Sequence, residues 1–228
     1  MLQALDISFS YSKKSVLKKI DLTVNKGDCI GILGKNGCGK STFLSILTGC
    51  LKPDSGKILL NGQDLLPYKR LYKDIGYVPQ ENPLIPELTA KDNLLFWYDS
   101  KQKDLMEKLN SPLFSSLNIN DILHTKISKL SGGQKKRVSI ASTLLNDPKI
   151  LILDEPSSSL DLICRDNIKQ FMETYLNDGG TIIMTTHEES ELSLCNKLYV
   201  INDGIIFEID KDMRGQQLIN TINGGNYE

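Results

Sequence analysis

Hydrophobic and polar positions switch between two periods along this chain. Leu17-Lys-Lys-Ile20-Asp-Leu22-Thr-Val24 ends in strict alternation, which predicts a half-buried strand. Cys29-Ile-Gly-Ile-Leu33, Ile150-Leu-Ile-Leu-Asp154 and Thr181 to Thr185 are short apolar runs, the pattern of strands buried on both faces. Between them the period lengthens. From Lys40 the spacing predicts a helix with Leu44, Leu47 and Leu51 on one face. Val138, Ala141, Leu144 and Leu145 line a second. Ile168, Phe171, Met172, Tyr175 and Leu176 recur at three- and four-residue steps and predict a third, stopped by Gly179-Gly180. Pro53-Asp-Ser-Gly56 marks a turn, and Lys57 to Leu60 reads as a strand closed by Asn61-Gly62. Glu188 to Cys195 predicts a further helix, and Leu198 to Ile201 with Ile205 to Ile209 a hairpin turning at Asn-Asp-Gly204.

From about Thr89 to Lys129 this rhythm breaks. The stretch is polar with scattered Leu and Phe, and predicts several short helices. The expected organisation is one α/β domain over 1–228, with a core of about 1–88 and 130–210 around a mostly parallel sheet covered by helices on both sides. A helical subdomain is inserted at about 89–129, and 211–228 forms a weakly patterned tail.

Charge narrows the picture. The 27 Lys and Arg residues against 28 Asp and Glu leave a net charge of −1, so bulk charge does not direct the chain to nucleic acid, and no nucleic-acid partner is expected. The longest uninterrupted apolar run, Leu94 to Tyr98, is far short of the roughly 20 residues of a spanning helix. The first residues lack the basic-then-apolar pattern of a secretory signal. The 5 cysteines include no Cys-x-x-Cys pair and read as reduced thiols.

Three segments carry chemistry. Gly34-Lys-Asn36-Gly37-Cys38-Gly39-Lys40-Ser41 fits G-x-x-x-x-G-K-[ST] between a buried strand and a helix, with Thr42 next in the helix. Its glycines let successive N–H groups point inward at an anion, aided by the helix N-terminus. Lys40 would reach β- and γ-phosphates, and the Ser41 hydroxyl would ligate Mg²⁺. Asp154-Glu155 places two carboxylates at the C-terminal end of a strand, the edge where open α/β sheets bind ligands. There Asp154 would hold Mg²⁺ through water, and Glu155 would orient and deprotonate an attacking water. Leu130-Ser131-Gly132-Gly133-Gln134 opens a helix, with Ser131 as a cap and two glycines that permit close approach of a ligand.

These segments, in this order, make the chain resemble the ATP-binding subunit of ATP-binding cassette (ABC) transporters from Leu2 to about Ile209. The resemblance implies a P-loop NTPase core with a mostly parallel sheet, an antiparallel β portion at the N-terminal side and the inserted helical subdomain. It implies ATP and Mg²⁺ as ligands. It makes Tyr11 the ring that stacks on adenine, Gln80 a contact to Mg²⁺, and Asp161, in Ser159-Leu160-Asp161, part of a loop communicating across a dimer. His187 becomes the γ-phosphate contact, catalytic together with Glu155 and Lys40, and Ser131 to Gln134 the signature loop that closes on a partner's ATP. Two departures stand out: Ala141-Ser142-Thr143-Leu144 replaces the common Ala-Arg-Ala-Leu, and Ser159 stands where Gly or Ala is usual. With one phosphate loop and one signature, the chain holds half a site and needs a second ATP-binding subunit, the same or related. A separate transmembrane permease and a place at the cytoplasmic face of the membrane follow. The segments Pro83 to Leu94 and Cys195 to Gly204 are most similar to the export-type branch. A soluble ABC ATPase of translation or DNA repair and a small-molecule P-loop kinase are the rival readings.

Overall fold

The computed structural model describes residues 1–65, 73–98 and 102–224. Its backbone of order is a six-stranded sheet in the sequence β10-β9-β3-β8-β7-β6. These are β3 (Cys29–Leu33), β6 (Ile75–Val78), β7 (Ile150–Asp154), β8 (Thr181–Thr185), β9 (Lys197–Asn202) and β10 (Ile205–Ile209). Every pairing is parallel except the β9–β10 hairpin. A second, antiparallel sheet has the order β2-β1-β4-β5, from β1 (Leu2–Tyr11), β2 (Lys14–Val24), β4 (Ser55–Leu60) and β5 (Gln63–Asp64). This is the antiparallel portion expected at the N-terminal side.

Alternation within the apolar strands divides the core in two. Ile30 and Ile32, Ile150 and Ile152, and Ile183 face helix α1 (Lys40–Leu47) and the antiparallel sheet. Cys29 and Leu33, Leu151 and Leu153, and Ile182 and Met184 face α5 (Gly132–Leu144) and α6 (Leu162–Asn177). Each fully buried Leu or Ile contributes about 1.5–3 kcal/mol, so a strand filled on both faces is anchored without charged residues. Strand ends can then carry polar groups at fixed positions.

The helical middle consists of α2 (Ala90–Trp97), α3 (Gln102–Leu109), α4 (Pro112–Ser115) and two 3₁₀ turns at Asn120–Ile122 and Ile127–Lys129. Residues 99–101 of it lie outside the described residues, as do 225–228 of the tail. Asn93, fully buried, bonds the backbone of Ile85 and Thr89 and so fixes the segment that leads into α2.

Three expectations are corrected. Helix α1 ends at Leu47, because Thr48-Gly49 turns the chain and Gly49 takes a positive φ of 72°; Leu51 therefore lies beyond it. The helix expected from Glu188 to Cys195 shortens to α7 (Glu189–Leu192), since Cys195 and Asn196 are drawn into the approach to β9 by Asn196 N–H donating to Cys29 O. The tail is not featureless: α8 (Gly215–Ile222) buries Leu218 and Thr221 and leaves Ile219 exposed.

Candidate active site

The phosphate loop joins β3 to α1. Gly34 takes φ 152° and Gly39 φ 111°; a Cβ at Gly34 would lie 2.5 Å from Ile201 O, so glycine is required there by both conformation and space. Lys40 is 6% exposed and its Nζ donates to Gly34 O at 2.7 Å and Lys35 O at 3.3 Å. An ammonium has three donors, so one remains for the cleft that Lys40 lines.

That cleft has a volume of about 510 Å³. Asn36, Gly37, Gly39, Lys40, Ser41 and Thr42 form its floor, and Tyr11, Gln80, Glu155 and His187 its walls. Lys14 and Val16 also line it. Tyr11 is 54% exposed and stands edge-on to Phe9, with ring centroids 4.8 Å apart. More than half of Tyr11 is open to solvent.

The acidic strand end is built from two neighbouring strands. Asp154 is buried, and its Oδ1 accepts from the Thr185 hydroxyl of β8 at 2.5 Å. Glu155 follows with φ 47°, a left-handed conformation that costs a non-glycine residue of order 1–3 kcal/mol. Its N–H donates to Thr185 O at 3.1 Å and to Thr185 Oγ1 at 3.0 Å, which holds the reversal. Glu155 lines the cleft, while Asp154 stays buried against Thr185. There Gln80 Nε2 donates to Glu155 Oε2 at 3.2 Å, and His187 Nε2 stands 4.0 Å from Glu155 Oε1. Sequence positions 40, 80, 155 and 187 thus meet at one place.

Cys38 and the signature residues lie elsewhere. Cys38 lines a neighbouring cleft, with Lys18, Lys35 and Asn202. Burial pushes this thiol up, opposed by the charge of Lys40. Ser131 caps α5: its hydroxyl accepts from Gln134 N–H at 3.2 Å, while Gln134 Oε1 accepts from Ser131 N–H at 2.9 Å. Asp161 caps α6, accepting from Cys164 N–H at 2.8 Å. None of Ser131, Gly132, Gly133, Gln134 or Asp161 lines the phosphate cleft. The two glycines differ. A Cβ at Gly133 would lie 2.7 Å from Cys164 Sγ, whereas one at Gly132 would meet nothing within 4 Å. Packing inside the chain explains Gly133, while Gly132 borders open space.

Sequence reasoning passed over the residues behind the cleft. Lys136 is 4% exposed and its Nζ donates to Pro79 O at 2.9 Å and Gln80 O at 2.8 Å. Burial pushes its ammonium down to about 8, with Asp154 and Glu155 opposing the shift. Its signal was a lysine on the face of α5 shared with Gly133 and Ile140. Beneath His187, the Thr186 hydroxyl donates to buried Glu191, and Glu188 pairs with Arg165 at 2.6 Å. Burial raises the Glu191 carboxyl above its ordinary range, although the Ser157 and Thr186 hydroxyls favour its ionised form.

The family model described as "ABC transporter" matches residues 17–158. The Nod factor export ATP-binding protein I of Rhizobium etli is 39% identical over 204 residues, 87% of this chain and 64% of that protein. The linearmycin resistance ATP-binding protein LnrL of Bacillus subtilis is 35% identical over 215 residues, 92% of this chain and 68% of that protein. A spermidine/putrescine import ATP-binding protein PotA of Mesoplasma florum is also 35% identical, over 92% of this chain and 61% of its own length. The chain thus spans a little under two thirds of the Rhizobium and Mesoplasma proteins. Among solved structures, an ATP-binding cassette determined as a dimer in a post-hydrolysis state with ADP and Pi superposes with a TM-score of 0.82 at 27% identity, covering 94% of this chain and 100% of that one. The cbiO1 protein of Clostridium perfringens, part of the ABC transporter complex cbiONQ, gives 0.80 at 29% identity, covering 97% and 94%.

Proposed function

The chain belongs to the ABC transporter family of ATP-binding domains, and from that premise we propose that it hydrolyses ATP between two paired ATP-binding subunits and so powers transport through a membrane-spanning permease. The observation that carries this reading is the meeting of Lys40, Gln80, Glu155 and His187 around one cleft floored by the phosphate loop.

Each residue has a role that its surroundings support. The loop from Gly34 through Asn36, Gly37, Cys38 and Gly39 to Ser41 and Thr42 offers backbone N–H groups to phosphate oxygens, and Lys40 adds a point charge. Tyr11 offers its free face to adenine. The Ser41 hydroxyl, the Asp154 carboxylate and the Gln80 amide oxygen are hard oxygen donors, which fit Mg²⁺. Gln80 turns its amide nitrogen to Glu155, leaving that oxygen available. The ion, when bound, would neutralise charge on the β- and γ-phosphate oxygens. Glu155 orients a water and accepts its proton on a carboxylate oxygen. The water oxygen bonds to the γ-phosphorus as the bond to the bridging oxygen breaks, releasing ADP and phosphate. His187 steadies the γ-phosphate side.

The open surface at Gly132 supports a partner. Ser131 and Gly132 of a second ATP-binding subunit would supply donors to the γ-phosphate, with Gly133 and Gln134 shaping that helix end and Asp161 beside it. Closure would exclude other water. For the permease, a groove of about 810 Å³ between Tyr77 and Pro79 on one side and Trp97, Tyr98 and Lys108 on the other fits a short helix. No helix among the described residues is long and apolar enough to cross a membrane. The relatives named as ATP-binding proteins of export and import systems support a place at the cytoplasmic face, held there by the permease. Relatives named for export and for import both resemble it, and we assign direction and substrate to the membrane chain. A translation or repair ATPase is less well supported, because the relatives reported above are named for transport and resistance.

Phosphate release from Mg-ATP by the purified chain tests the reading, together with sedimentation of Glu155→Gln. That variant is expected to pair with Mg-ATP and to separate with Mg-ADP. A chain that neither releases phosphate nor pairs with Mg-ATP overturns it.

A further inference from the structure

We propose that Lys136 is a positioning residue that ties the signature end of α5 to Gln80, so that a partner closing on Ser131 and Gly132 acts on this chain's own phosphate cleft. The inference rests on the ATPase reading above and adds a connection which that reading does not contain.

The connection is continuous. Ser131 caps α5, and Lys136 lies about one and a half turns further along the same rigid helix. Its Nζ donates to Gln80 O at 2.8 Å. The side chain of that same Gln80 donates to Glu155 Oε2 at 3.2 Å, and Glu155 Oε1 lies 4.0 Å from His187 Nε2. The surface that faces a partner's nucleotide is therefore joined to the group that activates water on its own nucleotide through one lysine and one glutamine.

The chemistry argues for a directional role. Burying an ammonium is costly, and an apolar side chain of similar volume would hold α5 against the sheet with less penalty. What lysine adds is a set of directed donors aimed at two consecutive carbonyls, Pro79 O and Gln80 O. Two such contacts on adjacent peptide units fix where the Gln80 side chain starts, and a tilt of α5 must move them. Loop segments without such anchors shift independently of the helices beside them.

The test uses the full chain, first without nucleotide. Lys136→Met removes the donors at nearly constant volume, Lys136→Arg retains them, and Gln80→Ala removes the group through which Lys136 is argued to act. Backbone order parameters from ¹⁵N relaxation at Gln80, Glu81 and Asn82 are expected to fall from the rigid range of about 0.85 toward about 0.6 in Lys136→Met and to stay near wild type in Lys136→Arg. With Mg-ATP, Lys136→Met is expected to lower kcat about ten- to a hundredfold, the size seen when second-layer partners of ligands are lost. ATP affinity of the unpaired chain should stay within about twofold. The double variant Lys136→Met with Gln80→Ala should be no slower than Gln80→Ala alone.

Multiplied losses in the double variant, or unchanged order parameters at 80–82 with a lowered melting temperature, make Lys136 a structural prop and overturn the inference. Should Lys136→Met fail to fold, Lys136→Gln takes its place in the same cycle. Wild-type turnover with no Lys136 effect defeats this inference alone. Absence of wild-type turnover defeats the ATPase reading and the inference with it.

Discussion

The phosphate cleft and the signature end of α5 both lie at helix starts that carry glycine, yet they are built in opposite ways. Around Lys40 the polar groups converge: the loop, Glu155 just after β7, Gln80 and His187 two residues after β8 all line one space. Around Ser131 they are spent locally, since Ser131 and Gln134 satisfy each other in a capping box, and Gly132 borders open solvent. The first region is a cleft walled by several elements; the second is an exposed helix start. Similar helix-start chemistry therefore yields a cradle or a lid according to what surrounds it.

The largest expected effect that would break this contrast concerns Glu155. Glu155→Gln should lower kcat about 10²–10⁴-fold, the usual contribution of a general base, while ATP binding persists. Near wild-type phosphate release would remove Glu155 from that role. Next comes a mixing experiment. Lys40→Ala disables the cradle, and should weaken ATP binding about ten- to a hundredfold through loss of a charged contact; Ser131→Arg blocks the lid. Each alone should be inactive, but an equal mixture should recover about a quarter of the wild-type rate, because half of randomly formed pairs carry one intact site of two. No recovery would mean that cradle and lid belong to the same chain's site.

A smaller effect separates the two glycines. Gly133→Ala would press on Cys164 and should cost about 1–3 kcal/mol, read as a lower denaturation midpoint. Gly132→Ala should fold normally and lose turnover instead. Equal destabilisation by both would show that Gly132 serves packing.

The smallest effect is a pH dependence behind the cleft. Burial raises the Glu191 carboxyl, so between its unfolded and folded values the native chain binds more protons than the unfolded one. Its contribution to stability is then fully present below the unfolded carboxyl pKa and is lost as pH rises through the raised folded value. Urea midpoints should fall with rising pH more in the wild type than in Glu191→Gln. Parallel curves would place the ionised carboxylate beside Thr186 at all pH values.

Much of this was legible in the residue order. Buried strands announce themselves as unbroken apolar runs, which is why β3, β7 and β8 were found where Cys29–Leu33, Ile150–Asp154 and Thr181–Thr185 predict them. The phosphate loop is equally plain, since only glycine tolerates its dihedral angles at Gly34 and Gly39. Helix ends were less legible. The short α7 and the early stop of α1 follow from tertiary pulls, Asn196 toward Cys29 and the turn at Gly49, that no periodicity records. The tail reads as weakly patterned, and the packing of α8 on β9 left no mark in the sequence.

By itself, the order of residues determined the local conformations, the apolar layers and the chemical types available at each strand end, because these depend on neighbours a few positions away. Tertiary structure alone decided that Gln80 and His187 both come to Glu155, that Lys136 reaches the carbonyl of Gln80 from another element, and that Gly132 looks outward while Gly133 looks in. Those relations depend on how the parallel strands are ordered, with β8 between β3 and β7, and an ordering of strands is settled by packing across the whole core.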